Sequence, residues 1–173
     1  MLICFTEIHI TGGKDVRYYF LAAAIIVLDQ VTKWLVATQM GIGQSLPIWK
    51  GVLSITSSRN QGAAFGILQG KMWLFYIITV IVVVGVIFYL QKYGRRQPLL
   101  GVALSLVLAG AIGNFIDRIF RGEVVDFIYF RIINFPVFNV ADSALTIGVI
   151  LIFIHTLFDG QKEKNHGESH ANS

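Results

Sequence analysis

Met72-Trp-Leu-Phe-Tyr-Ile-Ile-Thr-Val-Ile-Val-Val-Val-Gly-Val-Ile-Phe-Tyr-Leu90 runs for 19 residues without a charged side chain. A helix rising 1.5 Å per residue needs about 20 apolar residues to cross the hydrocarbon core of a bilayer, so this stretch reads as a transmembrane span. Pro98 to Ile116 is a second uncharged run of 19 residues. Two further stretches have the length but carry polar groups. Tyr18 to Ala37 contains Asp29 and Lys33, and Val137 to Phe158 contains Asp142 near its start and His155 near its end. The pattern predicts an all-α membrane protein with four transmembrane helices, at about 18–37, 72–90, 98–116 and 139–158.

Composition agrees. The chain has 173 residues, 55% of them hydrophobic and only 14% charged, which argues against a disordered chain or a soluble domain. A net charge of +4 can attract nucleic acid, but the basic residues are scattered and flank the apolar runs. They read as membrane-surface charge, with no nucleic-acid partner. The single cysteine, Cys4, permits neither an internal disulfide nor a thiolate-rich metal site. No metal-ligand spacing or glycine-rich phosphate loop occurs, so neither metal nor cofactor is expected. Residues 1–17 read as a disordered N-terminal extension, which leaves the true start codon open, and residues 159–173 as a disordered tail. One domain, 18–158, remains, and a monomer is expected.

Four spans put both termini on one side. Basic residues divide almost evenly: seven flank the termini and the 91–98 connection, and six lie in the opposite loops, 38–71 and 117–136. Three in the eight-residue 91–98 turn favour cytoplasmic termini. Whichever way the protein points, the far end of helix 1 (Asp29, Lys33), the exit of helix 3 (Asn114, Asp117, Arg118) and the start of helix 4 (Asn139, Asp142) meet at one face. Both long loops lie there too.

In the first loop, Leu46–Trp49 and Val52–Ser57 alternate in polarity and are rich in β-branched residues, with a turn at Lys50-Gly51. They predict a hairpin, a small sheet able to seat an extended peptide as an added strand. Asn60-Gln-Gly-Ala-Ala-Phe-Gly66 follows, small enough for close backbone approach.

Polar residues in such a chain need a reason. Asp29 and Lys33 are spaced as an i,i+4 ion pair, and Asp29 lies about 16 Å into the span. A self-neutralising structural pair explains them better than substrate contact. Asp117 reads as a local partner of arginine at a frayed helix end. Asn114 and Arg118 can share a cleft and hold peptide carbonyls, with Gly110 and Gly113 keeping that face narrow for binding or for helix packing. Asn139 suits an N-cap with Asp142 at N3, where the helix field favours a charged carboxylate. Asp126 sits between Val124, Val125, Phe127 and Ile128, a setting that favours the protonated form. One carboxylate held charged and one held neutral is the division an aspartic peptidase uses, but residue patterns leave a structural role equally open. His155 reads as a core or interface histidine.

Taken together, Asp29-Gln-Val-Thr-Lys33, Asn60-Gln-Gly-Ala-Ala-Phe65, Gly110-Ala-Ile-Gly-Asn-Phe-Ile-Asp-Arg118, Val124-Val-Asp-Phe127 and Phe138-Asn-Val-Ala-Asp-Ser143 resemble the lipoprotein signal peptidase (signal peptidase II) family, over about residues 18–158. The resemblance implies a membrane aspartic endopeptidase of the bacterial inner membrane. It would remove signal peptides from diacylglyceryl-modified prolipoproteins, cutting just before the lipid-modified cysteine. It implies cytoplasmic termini, a small extracytoplasmic β-sheet, and a second extracytoplasmic loop over an active site near the outer leaflet. By that similarity Asp126 and Asp142 are the catalytic dyad. Asn60, Gly110, Asn114, Arg118 and Asn139 bind substrate, and Asp29, Lys33 and Asp117 are structural. Membrane lipids and the cyclic peptide inhibitor globomycin are the other implied partners.

Two other readings of the residues compete. The acids of a small ion-coupled transporter would form a path across the bilayer, whereas these gather at one face. A non-enzymatic signal-peptide-binding protein would use only the loop sheet.

Overall fold

A computed structural model describes residues 16–62, 70–133 and 135–171, the last thirteen of these as backbone only. The N-terminal extension up to residue 15, and residues 63–66 of the small-residue segment, lie outside the described residues.

Among the described residues, four helices are long and apolar enough to cross a membrane: α1 (Val16–Gln39), α2 (Met72–Tyr93), α3 (Pro98–Arg121) and α4, which is apolar over Val140–Phe158. α4 continues as backbone helix to Ala171, through the stretch whose composition suggests disorder. α3 is the central helix. Its small residues Gly101, Ala103, Ser105, Ala109, Gly110 and Gly113 are all buried, which lets its neighbours approach closely. Tyr18 and Ala22 of α1, Val86 and Leu90 of α2, and Leu104, Val107 and Leu108 of α3 form the main apolar core. The remaining faces expose large apolar side chains such as Phe20, Val27, Ile81, Phe88, Val149 and Phe153, the surface expected against lipid tails rather than water.

The first loop forms the expected hairpin, β1 (Ser45–Trp49) and β2 (Leu53–Asn60), turning through Gly51 at φ +78°. Pro47 fits β1 because β1 is an edge strand. A third strand, β3 (Val124–Phe130), completes an antiparallel sheet in the order β1-β2-β3. The hairpin reading stopped short of β3, although Val124-Val-Asp-Phe-Ile-Tyr-Phe130 is rich in β-branched and aromatic residues. The chain then returns along the other side of β3, where Phe138 O accepts from Phe127 N–H and Ile128 N–H. Val36 of α1 packs with Val125 and Phe127 of β3 in a second cluster, fixing the sheet on the end of the helix bundle.

The C-terminal end of α3 is ordered, not frayed. Gly122 closes it in the left-handed conformation at φ +72°, donating its N–H to Arg118 O. Asn114, Asp117 and Arg118 therefore all lie inside regular helix.

Candidate active site

Asp126 and Asp142 line one cavity of about 420 Å³ at the junction of the sheet and the helix ends. Asn60, Asn114 and Arg118 also line it. Its other walls are mostly apolar: Phe135, Val137 and Phe138 from the return segment, and Leu145 and Ile147 from the next turn of α4.

Strand register delivers the first aspartate. β2 and β3 pair with Asn60 opposite Val124 and Ser58 opposite Asp126. Asn60 and Asp126 are thus diagonal neighbours on one face of the sheet, and Asn60 Nδ2 donates to Asp126 Oδ2 at 3.2 Å. Helix capping delivers the second. Asn139 Oδ1 accepts the N–H of Asp142 at 2.9 Å, and Asp142 Oδ2 accepts the N–H of Asn139 at 3.1 Å. This reciprocal pair is a capping box with an acid at N3.

Two buried amides join the carboxylates. Asn139 Nδ2 donates to Asp126 Oδ1 at 2.7 Å and to Asn114 Oδ1 at 3.1 Å. Asn114 Nδ2 donates to Asp142 Oδ1 at 2.7 Å. Each carboxylate thereby has both oxygens engaged by N–H donors, as groups removed from water require. Asp126 is 2% exposed. That burial, and next the negative charge of Asp142, push its carboxyl up from the ordinary 3.8 to about 7. Hydrogen bonds from Asn60 and Asn139 and the charge of Lys33 act the other way. Near neutral pH, Asp126 can therefore hold or release a proton.

Arg118 reaches over the cavity from α3. Its guanidinium stacks 4.4 Å from the Phe75 ring centroid and donates to Gly62 O at 3.1 Å, tying the loop after β2 to the helix end. Asn60 Oδ1 accepts the N–H of Gly62 at 2.9 Å, which tightens the same loop.

Beneath the cavity lies a buried ion cluster. Lys33 Nζ is 2.8 Å from Asp29 Oδ2 and 3.2 Å from Asp117 Oδ2, and all three side chains are fully buried. Asp29 has a second task that its spacing from Lys33 does not reveal: its Oδ1 accepts the N–H of Ala141 at 2.8 Å and so caps α4 from another helix. Asp117 is not paired with its neighbour Arg118. Its Oδ2 accepts the N–H of Val125 at 3.1 Å and anchors β3, while Arg121 Nε approaches Oδ1 at 3.5 Å.

Gly110 is not among the residues lining the cavity. It lies at the α3–α4 crossing, where an added Cβ would clash with Ala141 O. Gln30 went unremarked in the sequence, yet its Nε2 donates to Asp29 Oδ2 and to Gly113 O, both at 3.1 Å. A polar side chain beside Asp29 on a membrane helix is the signal that marks it. Among the described residues, no three His, Cys, Asp or Glu side chains gather at metal-binding spacing.

Residues 21–158 match the family model described as Signal peptidase (SPase) II. The lipoprotein signal peptidase of Bacillus pumilus (strain SAFR-032) is 58% identical over 149 residues, which cover 85% of this chain and 96% of that one. That of Geobacillus thermodenitrificans (strain NG80-2) is 58% identical over 157 residues, covering 90% and 98%. A bacterial membrane enzyme solved by the in meso method at 2.3 Å resolution superposes with a TM-score of 0.82 at 48% identity, covering 86% of this chain and 92% of that chain. With four spans and these relatives, the molecule is a multi-pass bacterial membrane protein. The chain belongs to the signal peptidase II family of membrane peptidases.

Proposed function

We propose that this peptidase removes signal peptides from diacylglyceryl-modified prolipoproteins, cutting just before the lipid-modified cysteine, with Asp126 and Asp142 as a catalytic aspartic dyad. One observation carries the reading: the two carboxylates face one cavity and are bridged through the amides of Asn139 and Asn114.

The reaction uses one proton shared by the pair. Asp142, the ionised member, takes a proton from water, and the water oxygen bonds to the scissile carbonyl carbon. Asp126, the protonated member, gives its proton to the carbonyl oxygen, producing a gem-diol. As the diol collapses, the C–N bond breaks, the leaving amine takes up a proton from Asp142, and Asp126 recovers its own. The titration belongs to the pair as a unit.

Asn60, Asn114 and Asn139 keep the carboxylates oriented, and Arg118 offers donors to substrate carbonyls. The sheet seats the signal-peptide backbone, while the apolar wall along Leu145 and Ile147 faces the lipid-bearing residue. Both termini lie in the cytoplasm and the cavity near the outer leaflet. Globomycin would occupy the same cavity, and membrane lipids surround the helices.

The test is cleavage by the purified protein in lipid or detergent, read by mass spectrometry. A lipidated precursor should yield a mature product whose first residue is the diacylglyceryl cysteine, the unlipidated precursor should be cut poorly, and a metal chelator should change neither. Cleavage elsewhere, equal use of both precursors, or loss of activity to the chelator would overturn the reading.

A further inference from the structure

Lys33 spends one more hydrogen bond than charge neutralisation requires. Asp29 and Asp117 already supply two carboxylates for one ammonium, at 2.8 and 3.2 Å. Its Nζ nevertheless also donates to Asn114 Oδ1 at 2.9 Å, in the fully buried interior. An ammonium has only donors, so the amide end that faces it must be the oxygen. The other end of Asn114 is then the –NH2 group, and that end lies 2.7 Å from Asp142 Oδ1. Asn139 Nδ2 also points at Asn114 Oδ1, but at 3.1 Å, and its shorter bond of 2.7 Å goes to Asp126. Were the Asn114 amide reversed, its carbonyl would face the carboxylate, an arrangement that requires Asp142 to carry the proton.

We propose that Lys33 is a positioning residue for the reaction: its buried ammonium fixes which end of the Asn114 amide faces Asp142, and so selects Asp142 as the aspartate that accepts the proton from water. This rests on the dyad reading above. The charged groups around the cluster come from four elements: Asp29 on α1, Asp117, Arg118 and Arg121 on α3, Asp126 on β3 and Asp142 on α4. Arg118, which donates only to the backbone carbonyl of Asn114, and Arg121 remain in place when Lys33 is replaced, so among the described residues a variant isolates the cation that touches the Asn114 side-chain amide. The charge of Lys33 also offsets part of the rise at Asp126, so its loss and the freed amide act in the same direction: both favour a protonated dyad.

The experiment is the pH profile of kcat/KM on a lipidated precursor for wild type, Asp29→Asn/Lys33→Gln and Asp29→Asn. The double variant removes two opposite buried charges while keeping amide hydrogen bonding, which favours folding. Its acid limb should move up by about one pH unit, giving a tenfold loss of rate on that limb that returns as the pH is raised. In Asp29→Asn, which disturbs the same cluster but keeps the Lys33 contact, the limb should stay or move down. A structural role alone changes the amount of folded protein but leaves the limb in place. A folded double variant with an unmoved limb overturns the proposal. So does an upward shift in Asp29→Asn, the arm that decides if the double variant does not fold. Asp126→Asn and Asp142→Asn serve as references. If both are inactive while the limb stays put, only the role of Lys33 fails; if either cleaves normally, the dyad itself falls.

Discussion

Asn139 and Asp142 cap each other, the Asn139 side chain holding the Asp142 N–H at 2.9 Å and the Asp142 carboxylate holding the Asn139 N–H at 3.1 Å. The same asparagine donates to Asp126 at 2.7 Å. Fold and proposed chemistry therefore meet in one side chain, and substitutions can separate them. Asn139→Ala should cost about 1–2 kcal/mol of stability through the lost cap. It should also lower turnover on the order of 100-fold, because a buried oxygen of Asp126 is left without its donor. Asn139→Asp keeps the capping oxygen but turns an acceptor toward Asp126. It should fold better than the alanine variant yet cleave no faster. Thermal unfolding in detergent beside kcat for both variants checks this, and a proportional loss of both quantities would count against it.

Asp126 makes stability depend on pH in an unusual direction for an acid. Its carboxyl is held up near 7 in the fold against 3.8 ordinarily, so between those values the folded chain binds a proton that the unfolded chain has released. Its contribution to stability is complete below about 4 and is lost as the pH rises through 7, by up to about 4 kcal/mol. Asp126→Asn should abolish that loss. The melting temperature of the variant relative to wild type should therefore rise between pH 5 and pH 8. A constant offset across that range would show that Asp126 is not held up.

Gly110 and Gly148 both sit where α3 meets α4, but at different depths. A Cβ at Gly110 would clash with Ala141 O, in the first turn of α4 beside Asp142; at Gly148 it would stand 2.8 Å from Ala103 O, about two turns deeper. Each alanine variant should lose about 1–3 kcal/mol by overpacking. Only Gly110→Ala should also displace Asp142 and reduce turnover per folded molecule. Equal activity loss in the two variants, normalised to folded protein, would contradict this.

Arg131 ties the sheet together from its far end. Its side chain donates to Ser54 Oγ on β2 and Ser45 Oγ on β1, both at 2.7 Å, while its own N–H donates to Val52 O at 2.9 Å. Arg131→Ala should speed amide hydrogen exchange across Ser45–Trp49 and raise KM several-fold, with kcat little changed because the dyad is untouched. Unaltered exchange in β1 would show that the clamp does not hold the strand.

The spans were legible because they depend on local composition: runs of apolar residues at helical length announce themselves in any sequence. The hairpin was legible for the same reason. What stayed hidden depends on partners far away in the chain. Lys33 meets Asn114 across 81 residues, and Asp29 caps Ala141 across 112. The 1-to-5 spacing of Asp29 and Lys33 suggested a closed ion pair, and nothing local indicates that both also reach other helices. Asp117 looked like a surface neighbour of Arg118 because adjacency in sequence suggests contact. On a helix, successive residues point about 100° apart, and Asp117 turns inward to β3. The family resemblance implies a pocket position for Gly110, while the geometry puts it at a helix crossing. Asp126 and Asp142 stood out in the sequence for a physical reason, as carboxylates beside membrane-length apolar runs. The structure adds the amides that join them.

Cleavage of a lipidated prolipoprotein by Asp126→Asn and Asp142→Asn, each purified as folded protein, tests the proposed dyad most directly. Each substitution is nearly isosteric and leaves the neighbouring donors in place, so neither should unfold the helix bundle. Product should fall to background in both variants, while both still retain the lipidated precursor. Cleavage near the wild-type rate by either variant would contradict catalysis by the Asp126–Asp142 pair.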